Sequence, residues 1–84
     1  MKEKIVKNLV SLTHGTNNDV KIAAINALGD YICSIEQEDA IDRLLALCED
    51  YNKDIAVASI VSISKLAKFF HETQQKKPIK KITI

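Results

Sequence analysis

Apolar residues recur along this chain at three- and four-residue steps, in four stretches that polar turns separate. This spacing places them on one side of an α-helix, so the pattern predicts four amphipathic helices. The predicted helices cover residues 2–13, 19–33, 37–49 and 54–72. We therefore expect an all-α domain over residues 1–72, followed by a basic C-terminal tail over residues 73–84.

Two of the predicted helices carry apolar stripes that we expect to face the core. On the second helix the stripe has alanines at its centre, and small side chains allow a neighbouring helix to approach closely. We expect Ala23, Ala24 and Ala27, together with Ala58 of the fourth helix, to be buried at such contacts. The first helix carries Ile5, Val6, Leu9, Val10 and Leu12, and the second carries Val20, Ala23, Ala24, Ala27, Leu28 and Tyr31.

Residues at the predicted helix ends have the chemistry that helix termini require. Gly15 follows the first helix and is expected to adopt the left-handed conformation common at helix C-termini. Asn17, Asn18 and Asp19, in the next turn, are all good N-caps for the second helix. Ser34 and Gln37 have the spacing of a capping box before the third helix.

The chain repeats itself at an offset of 35 residues without a gap. Leu9 then falls on Leu44, and Asp19 falls on Asp54. Two helix–turn–helix units related in this way predict four antiparallel helices in a short α-solenoid. A four-helix up-and-down bundle without repeat symmetry is the alternative.

Residues 20–29, Val-Lys-Ile-Ala-Ala-Ile-Asn-Ala-Leu-Gly, resemble the second-helix signature of HEAT repeats, especially the HEAT-like group of phycobilisome lyases. Lys21 stands where that signature usually has arginine. The second copy is degenerate, with Ala56 at the basic position and Ser64 at the position of Gly29. The resemblance implies an α-solenoid in which second helices line a concave surface, and it implies almost nothing about activity.

Composition and motifs argue against catalysis. The chain is 46% hydrophobic and 27% charged with a net charge of +1, which is ordinary for a globular protein. His14 and His71 have no metal-ligand spacing around them, and no glycine-rich phosphate loop is present. We expect no enzyme activity, no cofactor and no membrane span.

Two cysteines, Cys33 and Cys48, fit reduced thiols in a cytoplasmic protein.

The predicted core stripe of the fourth helix is Ile55, Ala58, Ile63 and Leu66. The second and fourth helices are also apolar on the side opposite their predicted core stripes. A helix that is hydrophobic nearly all round is buried on more than one side, so something must cover this surface. The leading hypothesis is a non-catalytic interaction module that binds a protein partner, or a second copy as a homodimer. Its predicted contact residues are Ile22, Ile25, Asn26, Cys33, Val57, Ile60, Val61, Ser64 and Lys68. Alternatively, Ile79, Ile82 and Ile84 of the tail fold back over the fourth helix and keep the protein monomeric.

Charge is segregated along the chain. Residues 30–54 hold eight acidic and two basic side chains, a net −6, whereas residues 65–84 hold six lysines and one glutamate, a net +5. Weak nucleic-acid binding is therefore an alternative function, although the near-neutral total charge opposes it. It would use Lys65, Lys68, Lys76, Lys77, Lys80 and Lys81. A third hypothesis, from the resemblance alone, is an accessory subunit of a lyase-type HEAT-like complex.

Overall fold

The computed structural model describes the backbone of residues 1–74 and the side chains of residues 1–70. Within this part the chain is helical and has no β-strand, which confirms the all-α prediction. Residues 75–84 of the predicted basic tail lie outside the described residues. The elements are α1 (Lys2–Leu12), α2 (Asn18–Asp30), a 3₁₀ helix (Ile32–Glu36), α3 (Glu38–Leu47) and α4 (Lys53–Gln74).

The helix boundaries on either side of the two polar turns follow the 35-residue offset of the sequence. α1 ends at Leu12 and α3 ends at Leu47, whereas α2 begins at Asn18 and α4 begins at Lys53. Each helix pair is therefore joined by a turn of the same length, residues 13–17 and 48–52. Turns this short bring consecutive helices together antiparallel, and α1 packs against α2 as α3 packs against α4. We refer to α1–α2 and α3–α4 as the first and second units.

Both turns end with the same helix cap. The side-chain oxygen Oδ1 of Asn17 accepts a hydrogen bond of 3.1 Å from the backbone N–H of Val20. Thirty-five residues later, Oδ1 of Asn52 accepts a bond of 3.1 Å from the N–H of Ile55. Each asparagine satisfies one of the amide groups that a helix N-terminus leaves without a partner. The local polar sequence thus sets the start of both second helices.

The two units join mainly through α2 and α4. The two helices run in the same direction, because Ile25 meets Ser62 and the later residue Asp30 meets the later residue Lys65. Toward the middle of α2, the carbonyl oxygen of Ile25 lies 2.7 Å from the hydroxyl of Ser62. At the C-terminal end of α2, the carboxylate of Asp30 lies 2.9 Å from the ammonium of Lys65. One hydrophobic core spans both units and comprises Val6, Ile25, Leu28, Ala40, Leu44, Leu47, Ile55 and Leu66.

The predicted orientation of α2 about its own axis is partly wrong. Ala24 is buried, as expected, and Ala27 is half-buried, but Ala23 is exposed and Val20 is 44% exposed. Ile25, which was expected on the opposite side, is fully buried. Since α2 carries apolar residues around much of its circumference, its sequence pattern does not single out one face. Packing against α4 selects the face that is buried.

The predicted end of α2 and the capping box are also wrong. α2 ends at Asp30, and the 3₁₀ helix forms the connection to α3. Ser34 does not cap α3, because its hydroxyl is buried and donates a 2.9 Å hydrogen bond to the carbonyl oxygen of Leu28. Gln37 occupies the N-cap position of α3 without a side-chain cap bond. Gly15 does not have a positive φ, so the left-handed helix end predicted there is absent.

A polar contact joins the first turn to α3. Thr13 is fully buried, and its hydroxyl donates a 2.6 Å hydrogen bond to the carbonyl oxygen of Val10. The same hydroxyl accepts a 2.8 Å bond from Nε of Arg43, whose Nη2 donates a 3.0 Å bond to the Thr13 carbonyl oxygen. Arg43 therefore fixes the C-terminal end of α1 against α3.

Candidate interaction surface

A row of apolar side chains runs along the solvent side of α4. Val57 is 52% exposed, Ile60 is 49% exposed and Val61 is 47% exposed. Ser64 and Lys68 continue the row toward the C-terminus and are exposed as well. These five residues recur at three- and four-residue steps, so they share one side of the helix. We call this surface the α4 face.

The residues of α2 and its connection that were predicted to join this surface do not all reach it. Ile25 is fully buried between the helices, so its assignment as a partner contact is corrected. Ile22 and Cys33 are half-buried, and both pack against the hydrophobic core. Asn26 is exposed. The exposed apolar surface predicted for the two helices is therefore concentrated on α4.

A second set of exposed apolar side chains lies on the first unit and was missed by the sequence pattern. Ile5 is 42% exposed, Leu12 is 40% exposed and Val20 is 44% exposed. All three were assigned to core stripes, because helical periodicity alone makes them look like core residues. We call these three residues the leading face. The 35-residue repeat is the signal that could have found it, since Ile5, Leu12 and Val20 are counterparts of Ala40, Leu47 and Ile55, which the structure buries.

Two of the lysines considered for nucleic-acid binding lie within the described residues. Nζ of Lys65 lies 2.9 Å from Oδ1 of Asp30, in an ion pair whose side chains are 51% and 64% exposed. Lys68 is exposed on α4. Lys76, Lys77, Lys80 and Lys81 lie outside the described residues. Of the predicted lysine cluster, the structure therefore places Lys65 and Lys68 alone, both exposed on α4.

The titratable groups with shifted pKa values are ones that the fold keeps neutral. Burial raises the pKa of the Cys48 thiol, and the adjacent Glu49 carboxylate raises it further. Burial also raises the pKa of the Tyr31 phenol, and neighbouring Cys33 adds to that shift. A nucleophilic cysteine needs the opposite shift, toward the thiolate. These shifts give Cys48 and Tyr31 no activation as nucleophiles.

A surface depression of about 500 Å³ lies between the start of α1 and the 3₁₀ helix. Cys33 and Glu36 are among its lining residues, and no histidine lines it.

Among the residues that the structure describes, no group of three or more histidine, cysteine or acidic side chains is placed to hold a metal ion. No helix within residues 1–74 is long and apolar enough to cross a bilayer.

No family model matches the chain, and neither a characterised protein nor a solved structure is significantly similar to it.

Proposed function

We propose that this protein is a small non-catalytic interaction module, which binds a protein partner or a second copy of itself through the α4 face. The observation that carries the proposal is the exposure of Val57, Ile60 and Val61 in one row. Full burial of a valine or isoleucine side chain is worth roughly 1.5–3 kcal/mol, and each of these is about half exposed. Covering all three therefore favours association by a few kcal/mol.

The architecture also supports a scaffold of the HEAT-like type. The two units share, at the 35-residue offset, the helix boundaries on either side of their turns and the asparagine caps that follow the turns. Stacked helical units of this kind present extended surfaces for binding rather than enclosed catalytic pockets. Two free cysteines favour a reducing compartment, and we propose the cytoplasm.

Site-specific photo-crosslinking tests the proposal. A photoreactive amino acid is introduced at Ile60 of the full chain, and the protein is irradiated in the cells that naturally make it. The matched control carries the same group at Ser11, which is exposed on α1. We expect discrete crosslinked species from the Ile60 variant that the Ser11 variant does not give. Identical patterns from both variants, or no crosslink at Ile60, would contradict a binding role for the α4 face.

A further inference from the structure

Five of the six apolar residues of the α4 face and the leading face correspond to buried or half-buried residues of the other unit. The sixth, Val61, does not follow this pattern, because its counterpart Asn26 is exposed as well. Ile60 is 49% exposed, whereas Ile25, its counterpart 35 residues earlier, is fully buried. In the opposite sense, Val20 is 44% exposed, whereas its counterpart Ile55 is 1% exposed. Further pairs, with the exposed member first, are Ile5 with Ala40, Leu12 with Leu47, and Val57 with half-buried Ile22.

This exchange has a simple cause. Each unit packs its own two helices together, so counterpart positions have similar surroundings within their units. A difference in exposure between two residues 35 positions apart then shows which of the two is covered by the other unit. The second unit covers Ile25 on α2 but nothing described covers Ile60 on α4. The first unit covers Ile55, but nothing described covers Val20. The α4 face and the leading face are therefore the two open ends of one stacking interaction.

We infer that a second copy of this chain docks its leading face onto the α4 face, continuing the stacking of the first unit on the second. The α4 face is the counterpart of the surface of α2 that packs against the second unit, and the leading face is the counterpart of the surface of the second unit that packs against the first. The two faces are therefore expected to fit each other as the two units do. This inference rests on the proposed function, since it names the occupant of the α4 face. The contact is head-to-tail, unlike the two-fold contact of an ordinary homodimer.

Charge complementarity supports this head-to-tail alignment of the two copies. Asp30 and Lys65 are exact counterparts at the 35-residue offset, and they form the ion pair between α2 and α4. If a second copy continues the stack, its Asp30 lies beside Lys65 of the first copy. Both side chains are more than half exposed, so each retains surface for another partner. Acidic and basic groups would then alternate along the row of second helices.

The new junction is expected to be looser than the one inside the chain. Gly29 admits Ser62 closely within the chain, whereas at the junction Ser64 would take the place of Gly29 and Ala27 that of Ser62. Ala27 has no hydroxyl to donate to the carbonyl oxygen of Ile60, as Ser62 does to Ile25. Association is therefore expected to be reversible, and to increase with concentration beyond a dimer because a head-to-tail contact leaves a free face at each end.

Two half-blocked variants test this arrangement by sedimentation equilibrium. Ile60→Glu disables the α4 face, and Val20→Glu disables the leading face. Both residues are nearly half exposed, so the variants are expected to fold, as circular dichroism will check. Val57→Glu and Ile5→Glu replace them if either does not fold. The control is Tyr51→Glu, which makes the same kind of change at a fully exposed residue on neither face.

We expect the wild type and Tyr51→Glu to grow in mean mass with concentration, and each half-blocked variant alone to stay monomeric. An equimolar mixture of the two half-blocked variants should form a dimer and nothing larger, since only one pair of intact faces remains. Asp30→Lys, added to the Ile60→Glu copy, should weaken this dimer several-fold. Lys65→Asp, added to the Val20→Glu copy, should restore it.

Other outcomes would overturn the inference. Dimers of Val20→Glu alone would show a two-fold contact between α4 faces, which excludes the head-to-tail arrangement but keeps the proposed function. A monomeric wild type at every concentration would exclude self-association. The crosslinking experiment at Ile60 would then decide separately whether the α4 face binds another protein.

Discussion

The hydroxyl of Ser62 on α4 donates a 2.7 Å hydrogen bond to the carbonyl oxygen of Ile25 on α2. In an α-helix that carbonyl also accepts the amide of the residue four positions later, which here is Gly29. The backbones of the two helices approach closely at this point because Gly29 has no side chain. A Cβ atom built on Gly29 would lie 2.6 Å from both Cβ and Oγ of Ser62, and 2.7 Å from its Cα.

Gly29→Ala should destabilise the protein. Helix propensity alone would favour alanine by about 1 kcal/mol, but overpacking typically costs about 1–3 kcal/mol. The clash includes the Cα atom of Ser62, so a side-chain rotation cannot relieve it and the helices must separate. We expect a net loss of about 1 kcal/mol or more in the free energy of unfolding, measured by urea denaturation.

Gly15→Ala is the matched control for this substitution. A Cβ atom on Gly15 would meet only the carbonyl oxygen of Leu12, at 3.5 Å, and the φ angle of Gly15 is not positive. Its stability should therefore stay within about 0.5 kcal/mol of the wild type. Equal effects at Gly15 and Gly29 would contradict the close contact of α2 with α4.

Replacement of two adjacent alanines on α2 by leucine should affect the stability of the protein differently. Ala24 is 3% exposed, so Ala24→Leu should cost about 1–3 kcal/mol through overpacking. Ala23 is exposed, so Ala23→Leu should change stability by no more than about 0.5 kcal/mol. The two thermal midpoints report the orientation of α2 about its axis. Comparable losses from both substitutions would show that α2 has the orientation expected from the sequence, in which both alanines are buried.

Arg43→Lys should destabilise the contact between α1 and α3 although it keeps the positive charge. Lysine has no planar fork with which to reproduce both bonds that Arg43 makes to buried Thr13. Leaving a buried polar group poorly paired costs about 1–3 kcal/mol, and we expect a loss in that range by urea denaturation. A double-mutant cycle with Thr13→Val, which removes the hydroxyl, should show coupling between the two residues. Strictly additive losses would argue against the hydrogen bond between Nε of Arg43 and the Thr13 hydroxyl.

The thiol of Cys48 should lose its proton at a higher pH in the folded protein than in the unfolded chain. Burial disfavours the thiolate, and the neighbouring Glu49 carboxylate disfavours it further. In a Cys33→Ser background, the pH midpoint of alkylation should lie above the midpoint measured in concentrated urea. Glu49→Gln should lower the folded midpoint but leave part of the difference, because burial remains. Identical midpoints in the folded and unfolded chains would contradict the shift.

Periodicity and local polar chemistry account for what could be predicted about the fold. Apolar spacing gave four helices, and polar turns gave their approximate ends. Asn17 caps α2 through a contact three residues away, which depends only on local sequence. Ser34 shows where local inference stops, because its hydroxyl has a choice of partners. The capping-box spacing suggested an amide of α3, whereas the fold brings it to the Leu28 carbonyl oxygen.

The candidate surface was predictable in part for a related reason. α4 carries more apolar residues than one core contact can cover, and Val57, Ile60 and Val61 are the exposed ones in the structure. The leading face was not predicted, since Ile5 and Val20 fit a core stripe on their own helices. Exposure there depends on whether another unit lies alongside, and helical periodicity contains no information about that neighbour.

The sequence by itself determined four helices, their approximate ends and the 35-residue correspondence between two halves, because these follow from contacts within a few turns of the chain and from self-similarity. Only the tertiary structure decided which side of α2 is buried. α2 is apolar around much of its circumference, so several orientations bury similar areas. The close approach of Ser62 to Gly29 selects one of them, and that contact joins residues 33 positions apart.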